Sequence, residues 1–173
     1  GEGNILAANG LGGLQLGPSA ANTTVQGNRI GVGSTGGALG NTVSGIFIGS
    51  GSTGNLIGGT NAAAANIIAY NTNNGINLSN TAGIGNTILG NSIYANGDLG
   101  IDLGNNGVSA NDVGDGDTGT NDLQNFPVLT YAIVDGTNLR IIGSFNSVAS
   151  TQFRLEFYNN ALGQEDPTGH GEA

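Results

Sequence analysis

Oxygen-bearing side chains are concentrated in a short acidic stretch of this chain, between positions 112 and 122. Five of them carry a carboxylate or amide oxygen, with glycines between them that let the backbone curl: Asp112, Asp115, Asp117, Asn121 and Asp122. Because Ca²⁺ takes roughly six to eight oxygen ligands, this composition makes the stretch a candidate Ca²⁺ site. The spacing fits no EF-hand loop, and the bidentate Glu that closes such a loop is missing. A solvated acidic turn is the alternative, in which like charges repel and keep the loop mobile.

A second group of carboxylates, Asp98 and Asp102, lies near the end of the repeated part of the chain. Paired carboxylates are what glycoside hydrolysis requires. We place Asp98 at a corner and Asp102 on a strand with its side chain pointing outward, so the two would meet only through a bend in the backbone. The leading interpretation is that the chain has no catalytic residues, and this pair is the alternative.

Cationic side chains are scarce, although a polysaccharide lyase needs one as the base beside its acidic sugar. The chain has no Lys, and its Arg residues are Arg29, Arg140 and Arg154. Only Arg29 lies within the repeats, next to a turn, and we interpret it as a solvated residue. His170, in a Gly-His-Gly tripeptide near the carboxyl end, is interpreted as a loop residue.

The overall composition excludes several classes of partner. A formal net charge of −9 makes nucleic acid and anionic membranes unsuitable, because both are negatively charged. No run of about 18 apolar residues is present, so we expect no membrane insertion. The absence of Cys excludes disulfides and thiolate metal sites. Hydrophobic residues make up 37% and recur periodically, which favours a folded chain over a disordered Gly-rich one.

The elements that must position these side chains come from a thirteen-residue pattern, Asn-x-(Ile/Leu)-x-x-Asn-x-x-x-Gly-(Ile/Leu)-x-Leu. It occurs without gaps at residues 4–16, 66–78 and 91–103. Apolar pieces this short, bounded by Asn and Gly, favour strands joined by tight corners. A repeat that cannot bury its own apolar side must stack on its neighbours. We therefore predict an all-β solenoid, in which each turn of the solenoid, or coil, contains three strands and about four coils are stacked.

The Gly-(Ile/Leu)-x-Leu part of the pattern predicts which side chains face inward, because strand side chains alternate with a period of two. The predicted interior residues are Leu14, Leu16, Ile46, Ile48, Ile76, Leu78, Ile101 and Leu103. The residues between them are predicted to point outward: Gln15, Phe47, Asn77 and Asp102. Corner Asn residues are predicted to stack in hydrogen-bonded ladders, one with Asn4, Asn66 and Asn91, and one with Asn9, Asn71 and Asn96.

Tyr70 and Tyr94 occupy adjacent positions of the pattern on neighbouring predicted coils. Aromatic rings placed in this way can stack on a sugar ring, so these two are the candidate carbohydrate-binding residues. The alternative is that both rings simply cover the surface of their coils.

The character of the chain changes after residue 103. Residues 104–127 are acidic and rich in Gly and Asn, and we interpret them as a connecting segment. In residues 128–173, three stretches alternate apolar and polar side chains: 128–133, 139–145 and 153–158. Asp135-Gly136 is a hairpin-turn signal between the first two. We predict a small antiparallel β unit that is incomplete as a β-sandwich, because three strands are too few to close one.

Several segments of the repeats resemble the secreted bacterial right-handed parallel β-helix repeat proteins of the pectin-lyase-like superfamily. They are GNRIG at 27–31, GIFI at 45–48, NLIGGT at 55–60 and NIIAYN at 66–71, and the similarity covers residues 4–103. GIDLG at 100–104, DGDTG at 115–119 and NFPVL at 125–129 resemble the exit segment that precedes an immunoglobulin-like or fibronectin-like β domain. The resemblance implies a right-handed parallel β-helix, an extracellular or cell-surface setting and sugar-related partners. It implies no particular activity.

The leading functional hypothesis is a non-catalytic extracellular or cell-surface scaffold, adhesin segment or self-assembling subunit. Because a stack of coils ends in unpaired backbone groups, head-to-tail self-association through open ends is a candidate interaction that would generate a filament. The alternative is a carbohydrate-active enzyme, a polysaccharide lyase or hydrolase, or its polysaccharide-binding remnant.

Overall fold

The computed structural model describes residues 3–159. Within that range, eleven short parallel-paired strands precede residue 105, each two to four residues long. They are β1 Ile5–Leu6, β2 Leu14–Leu16, β3 Thr24–Val25, β4 Arg29–Ile30, β5 Ile46–Ile48, β6 Leu56–Gly58, β7 Ile67–Ala69, β8 Ile76–Ser79, β9 Thr87–Leu89, β10 Ser92–Tyr94 and β11 Ile101–Gly104. Their shortness follows from the sequence, because Gly and Asn interrupt every apolar piece and permit the corner conformations.

These strands form three parallel sheets that the chain visits in strict rotation. The first sheet has the order β1-β4-β7-β10, the second β2-β5-β8-β11 and the third β3-β6-β9. We call the stack that they form, residues 3–104, the column. Stacked parallel sheets visited in rotation are consistent with a parallel β-helix, whereas the count of about four coils stays a prediction.

The interior of the column is a stack of aliphatic side chains in register. In the second sheet Leu14 pairs with Ile46, Ile46 with Ile76, and Ile76 with Ile101. Fully buried aliphatic residues from all three sheets meet there, including Ile30, Ile46, Ile48, Ile57, Ile68, Ile76 and Leu78. The prediction for Ile101 was wrong, since that side chain is 37% exposed. Its strand, β11, lies at the edge of its sheet, with β8 on one side only.

The Gly of the repeated pattern brings the corner backbone close to that interior. A Cβ on Gly45 would lie 2.6 Å from Cγ2 of Ile68 and 2.7 Å from the carbonyl oxygen of Gly75. A Cβ on Gly75 would meet Ile93 and Gly100 at the same two distances. A larger residue at this position would therefore push two layers of the stack apart.

Asn residues form the two predicted ladders, with more rungs than the sequence indicated, and all rungs except the exposed Asn4 and Asn9 are buried. One runs Asn4–Asn28–Asn66–Asn91, and the other runs Asn9–Asn41–Asn71–Asn96. In each step the Nδ2 group of one Asn donates to Oδ1 of the next, at 2.8–3.0 Å, and the backbone N–H donates to the same oxygen. The ladders satisfy amide groups that would be costly to bury unpaired.

A third ladder, which we did not predict, follows the third sheet. Asn55 donates from Nδ2 to Oδ1 of Asn86 at 2.8 Å, and the backbone N–H of Asn86 donates to Oδ1 of Asn121 at 2.9 Å. Asn121 belongs to the connecting segment, in a 3₁₀ turn at Thr120–Leu123, and its Nδ2 donates back to the carbonyl of Asn86. A residue beyond the last repeat thus supplies the next rung of the column.

After the connecting segment, β12 Val128–Asp135 and β13 Asn138–Ser144 form an antiparallel hairpin. Gly136, with φ of 62°, lies in the predicted turn. The predicted third strand at 153–158 is absent from the described residues, although the ring of Phe153 packs edge-on against Phe145 at 5.1 Å. Apart from 3₁₀ turns at Ala62–Ala64 and Thr120–Leu123, the described chain contains no helix, and therefore none long enough to cross a membrane.

Candidate metal centre

Three of the five predicted metal ligands lie together. Carboxylate oxygens of Asp112, Asp115 and Asp117 are all within 4.8 Å of one another, and the three side chains are partly buried. They lie on one turn of the connecting segment, where Gly114 and Asp115 adopt positive φ values of 79° and 57°. We call this group the joint cluster.

The turn is held in place by Asn125, which is 4% exposed. The backbone N–H of Asn125 donates to Oδ1 of Asp115 at 2.8 Å, and its Oδ1 accepts from the N–H of Asp112 at 3.0 Å. Its Nδ2 donates to the carbonyls of Asp112 and Asn146, both at 2.8 Å. Ser147 donates to the second oxygen of Asp115. Because Asn146 and Ser147 follow β13, the joint cluster ties the connecting segment to the hairpin.

Two oxygens of the joint cluster have no hydrogen-bond partner. Oδ1 of Asp112 and Oδ1 of Asp117 are buried and unpaired, whereas Oδ2 of Asp112 accepts from the N–H of Gly116 at 3.1 Å. Burial, followed by the charges of Asp112 and Asp115, raises the pKa of Asp117. The cluster therefore has free oxygen ligands and an excess of negative charge, which are the properties that a hard cation requires.

The other two predicted ligands lie elsewhere. Asn121 serves as the last rung of the third ladder, and Asp122 is exposed on the same 3₁₀ turn. Both adopt positive φ values, 47° and 54°. Neither belongs to the group of side chains whose carboxylate oxygens lie within 4.8 Å of one another.

The candidate catalytic residues do not form a solvent-facing pair. Asp98 is exposed, but Asp102 is only 3% exposed. Asp102 shares the predicted outward row with Asn77, yet its carboxylate accepts hydrogen bonds from Asn74 Nδ2 at 3.2 Å and from the N–H groups of Asn106 and Gly107 at 3.3 Å. The turn at residues 105–107 therefore closes over the carboxylate that a hydrolase would have to present to its substrate.

Tyr70 and Tyr94 are neighbours, as predicted from their positions in the repeat. Their ring centroids are 5.6 Å apart with an interplanar angle of 84°, so the rings meet edge to face. Burial, followed by the neighbouring Tyr70 hydroxyl, raises the pKa of Tyr94, while the charge of Arg29 acts in the opposite direction. Arg29 itself donates to the carbonyls of Gly33 and Ser34, each at 3.4 Å. Perpendicular rings offer no shared flat surface on which a sugar could stack.

A shallow groove of about 410 Å³ lies beside the third sheet, under the corner insertion that contains the Ala62–Ala64 turn. Its lining is apolar or neutral: Gln26, Leu56, Gly59, Thr60, Asn61, Ala63, Ala64 and Leu89. No ionisable side chain is among these residues, so the groove has no group for acid–base chemistry.

Comparison with protein-family models, with curated proteins and with solved structures finds no match for this chain. His170, which we interpreted as a loop residue, lies outside the described residues. The candidate ligands and the residues that hold them in place are therefore identified from the geometry of this chain alone. Sequence reasoning missed Asn125 and Asn146, because nothing in their local spacing connects them to the acidic turn.

Proposed function

We propose that this protein is a non-catalytic extracellular or cell-surface scaffold of the β-helix type. The observation that carries the proposal is the buried state of Asp102, whose carboxylate holds the turn after β11. Other polar and charged side chains of the column also have structural roles. Arg29 donates hydrogen bonds to carbonyls of its own corner, and the Asn residues of the ladders hydrogen-bond to one another.

The resemblance to secreted pectin-lyase-like proteins supports the more specific form of this proposal, a right-handed parallel β-helix that acts outside the cell. As a surface scaffold the protein would serve as an adhesin segment or as a subunit that joins copies head to tail. Part of the column end near β9 and β10 is already occupied, because Oε2 of Glu156 accepts from the N–H of Gly90 at 2.8 Å. A second copy would therefore have to displace Glu156 or dock beside it.

The alternative is a carbohydrate-active enzyme or its binding remnant. The edge-to-face contact between Tyr70 and Tyr94 gives a sugar no shared flat surface, so it does not favour this alternative. A panel of acidic and neutral polysaccharides, incubated with the protein, separates the two functions. We expect no chain cleavage, as measured by the release of reducing ends or unsaturated products. Cleavage that is abolished in Asp98→Asn or Asp102→Asn would overturn the scaffold proposal.

We further propose that Ca²⁺ binds the joint cluster and stiffens the connection between the column and the hairpin. The unpaired oxygens of Asp112 and Asp117 support this proposal, together with the hydrogen bonds from the turn to residues after β13. The test is thermal unfolding with Ca²⁺ and with chelator. We expect Ca²⁺ to raise the melting temperature of the wild type and to have a smaller effect on the double variant Asp112→Asn/Asp117→Asn. Identical melting with Ca²⁺ and chelator in the wild type would contradict a bound ion.

A further inference from the structure

A second group of buried oxygens lies on the outward side of the second sheet, away from the joint cluster in sequence. It consists of the buried residues Asn74, Asn77 and Asp102 together with the exposed Asn105, and we call it the outer-row cluster. Asn74, Asn77 and Asp102 are 3%, 6% and 3% exposed. Polar side chains this deeply buried normally have all their hydrogen bonds satisfied.

Sheet register and hydrogen bonds hold the four residues together. Asn77 and Asp102 are direct partners on the parallel strands β8 and β11, so their outward side chains stand about 4.8 Å apart. Asn74 Nδ2 reaches Oδ2 of Asp102 at 3.2 Å, and Asn77 Nδ2 reaches Oδ1 of Asn105 at 2.5 Å. The turn at residues 105–107 closes the cluster from outside, through the N–H groups of Asn106 and Gly107.

The charge of Asp102 has no cationic partner. Among the described residues the one ion pair joins Arg154 to Glu156, and Arg29 binds the carbonyls of its own corner. The three donors to Asp102 are all neutral, at 3.2–3.3 Å, longer than is usual for hydrogen bonds to a carboxylate. An ionised carboxylate that is buried without a counter-charge is unfavourable, because it loses hydration that nothing of opposite charge replaces.

Two amide oxygens beside this carboxylate are also unpaired. Oδ1 of Asn74 and Oδ1 of Asn77 are buried without a hydrogen-bond partner. Each belongs to the same planar amide as an Nδ2 group that is already bonded within the cluster. One carboxylate and two unpaired amide oxygens therefore lie close together on this side of the sheet, next to the exposed residues Asn105 and Asn106. Oxygen atoms of these two types are the ligands that Ca²⁺ prefers.

We propose that the outer-row cluster is a Ca²⁺ site, with Asp102, Asn74 and Asn77 as the protein ligands. The ion supplies the missing counter-charge of Asp102 and accepts the two unpaired amide oxygens as ligands. It fastens the turn after β11 to the outward side of the column. The outer-row cluster shares no residue with the joint cluster, so the two Ca²⁺ proposals can be tested independently of each other. With a single carboxylate, its affinity belongs at the weak end of protein Ca²⁺ sites, with a dissociation constant of roughly 10⁻⁴–10⁻³ M.

The experiment measures Ca²⁺ binding to the whole chain by calorimetry, in the background Asp112→Asn/Asp117→Asn, which removes two carboxylates of the joint cluster. We expect this background to bind one Ca²⁺ per chain, and the further change Asp102→Asn to weaken that binding at least tenfold. Asp98→Asn in the same background is the matched control, because it removes an exposed charge nearby and should leave binding unchanged.

A second variant keeps the test decisive if Asp102→Asn does not fold. Asn77→Asp adds a carboxylate to the site, so in the same background it should lower the melting temperature in chelator and make the rise on adding Ca²⁺ larger. The proposal is overturned if the background binds no Ca²⁺ at about 5 mM, above the range of weak extracellular sites. It is equally overturned if Asp102→Asn leaves binding intact, or if Ca²⁺ does not restore the stability of Asn77→Asp. In those cases the cluster is a hydrogen-bonded polar group only.

Discussion

The strands of the column and of the hairpin are both rich in apolar residues, but they differ in how far those residues are buried. In β5 the side chains of Ile46 and Ile48 are completely buried, whereas every residue of β12 is exposed, including Ile133 at 46%. Both strands consist largely of apolar side chains, Ile-Phe-Ile in β5 and six of the eight residues in β12. The difference is that β5 lies between β2 and β8 and closes a shared interior, while β12 pairs only with β13. Alternation creates an apolar face, but only the stacking of distant segments buries it.

Polar groups show a second contrast. Along the ladders of the column, buried Asn side chains are paired with one another. In the connecting segment and the outer row, carboxylate and amide oxygens are buried without partners, at Asp112, Asp117, Asn74 and Asn77. The ladders therefore satisfy their own polar groups, whereas the unpaired oxygens are the groups at which we propose that Ca²⁺ binds.

The largest expected difference between the two regions concerns their aliphatic side chains. Ile76→Ala in the column should lower the free energy of unfolding by about 3 kcal/mol, because it leaves a cavity in a tightly packed interior. Ile133→Ala in the hairpin is the matched control and should cost less than about 0.5 kcal/mol. Urea denaturation followed by circular dichroism measures both. Equal losses would show that the hairpin buries its apolar face in solution.

The next largest effect concerns the ladders. Asn71→Ala should cost about 2 kcal/mol, because it removes the acceptor of Asn41 Nδ2 and the Nδ2 donor to Oδ1 of Asn96, while the backbone N–H of position 71 still donates to that oxygen. Asn73→Ala, at an exposed position two residues away, provides the control. The same denaturation series reports both variants. If the two losses agree within error, the ladder hydrogen bonds do not contribute net stability.

The smallest effect is a pH dependence with opposite signs at two carboxylates. The pKa of Asp117 is raised, so its ionised form costs stability, and this cost appears as the pH rises through its folded-state pKa. Burial alone would raise the pKa of Glu156, but hydrogen bonds from Tyr158, Gly90 and Arg154 lower it. Its contribution is therefore present above the ordinary Glu pKa and is lost as the pH falls through the folded-state value.

Thermal melts between about pH 3 and 7 in chelator, over the range in which carboxylates titrate, check this prediction. At neutral pH, Asp117→Asn should stabilise the protein and Glu156→Gln should destabilise it, and both differences should shrink in acid. The opposite signs are the decisive feature, because a general effect of net charge would move both variants in the same direction. Parallel shifts would contradict the assigned environments of the two carboxylates.

The periodic part of the structure could be predicted from the sequence. The rows Leu14–Ile46–Ile76–Ile101 and Gln15–Phe47–Asn77–Asp102 follow from the alternation of strand side chains and from equal spacing within the pattern. The two predicted ladders follow in the same way, since equivalent corners of stacked repeats must coincide. Asn28 and Asn41 were missed as rungs because corner insertions change the spacing around them.

The aperiodic part could not be predicted in the same way. A loop whose backbone follows no repeat can bring any of its residues together. The acidic stretch therefore indicated which types of metal ligand are present, but not which of those side chains lie close together. Asn121 was expected to be a metal ligand and is instead a ladder rung, because the connecting segment folds back onto β9. Asp102 was expected to point outward and does occupy that row, but the turn at 105–107 buries it.

The sequence by itself determined the all-β class, the short strands and the alignment of their rows, because these depend on local periodicity and on Asn and Gly at the corners. Only the tertiary structure decided which polar groups are satisfied and which are left over. That outcome depends on where the chain folds back after its last repeat: onto the third ladder at Asn121, over Asp102, and toward Asn146 at the joint cluster. These contacts join segments whose separation no repeat specifies, and they leave the unpaired oxygens at which we propose that Ca²⁺ binds.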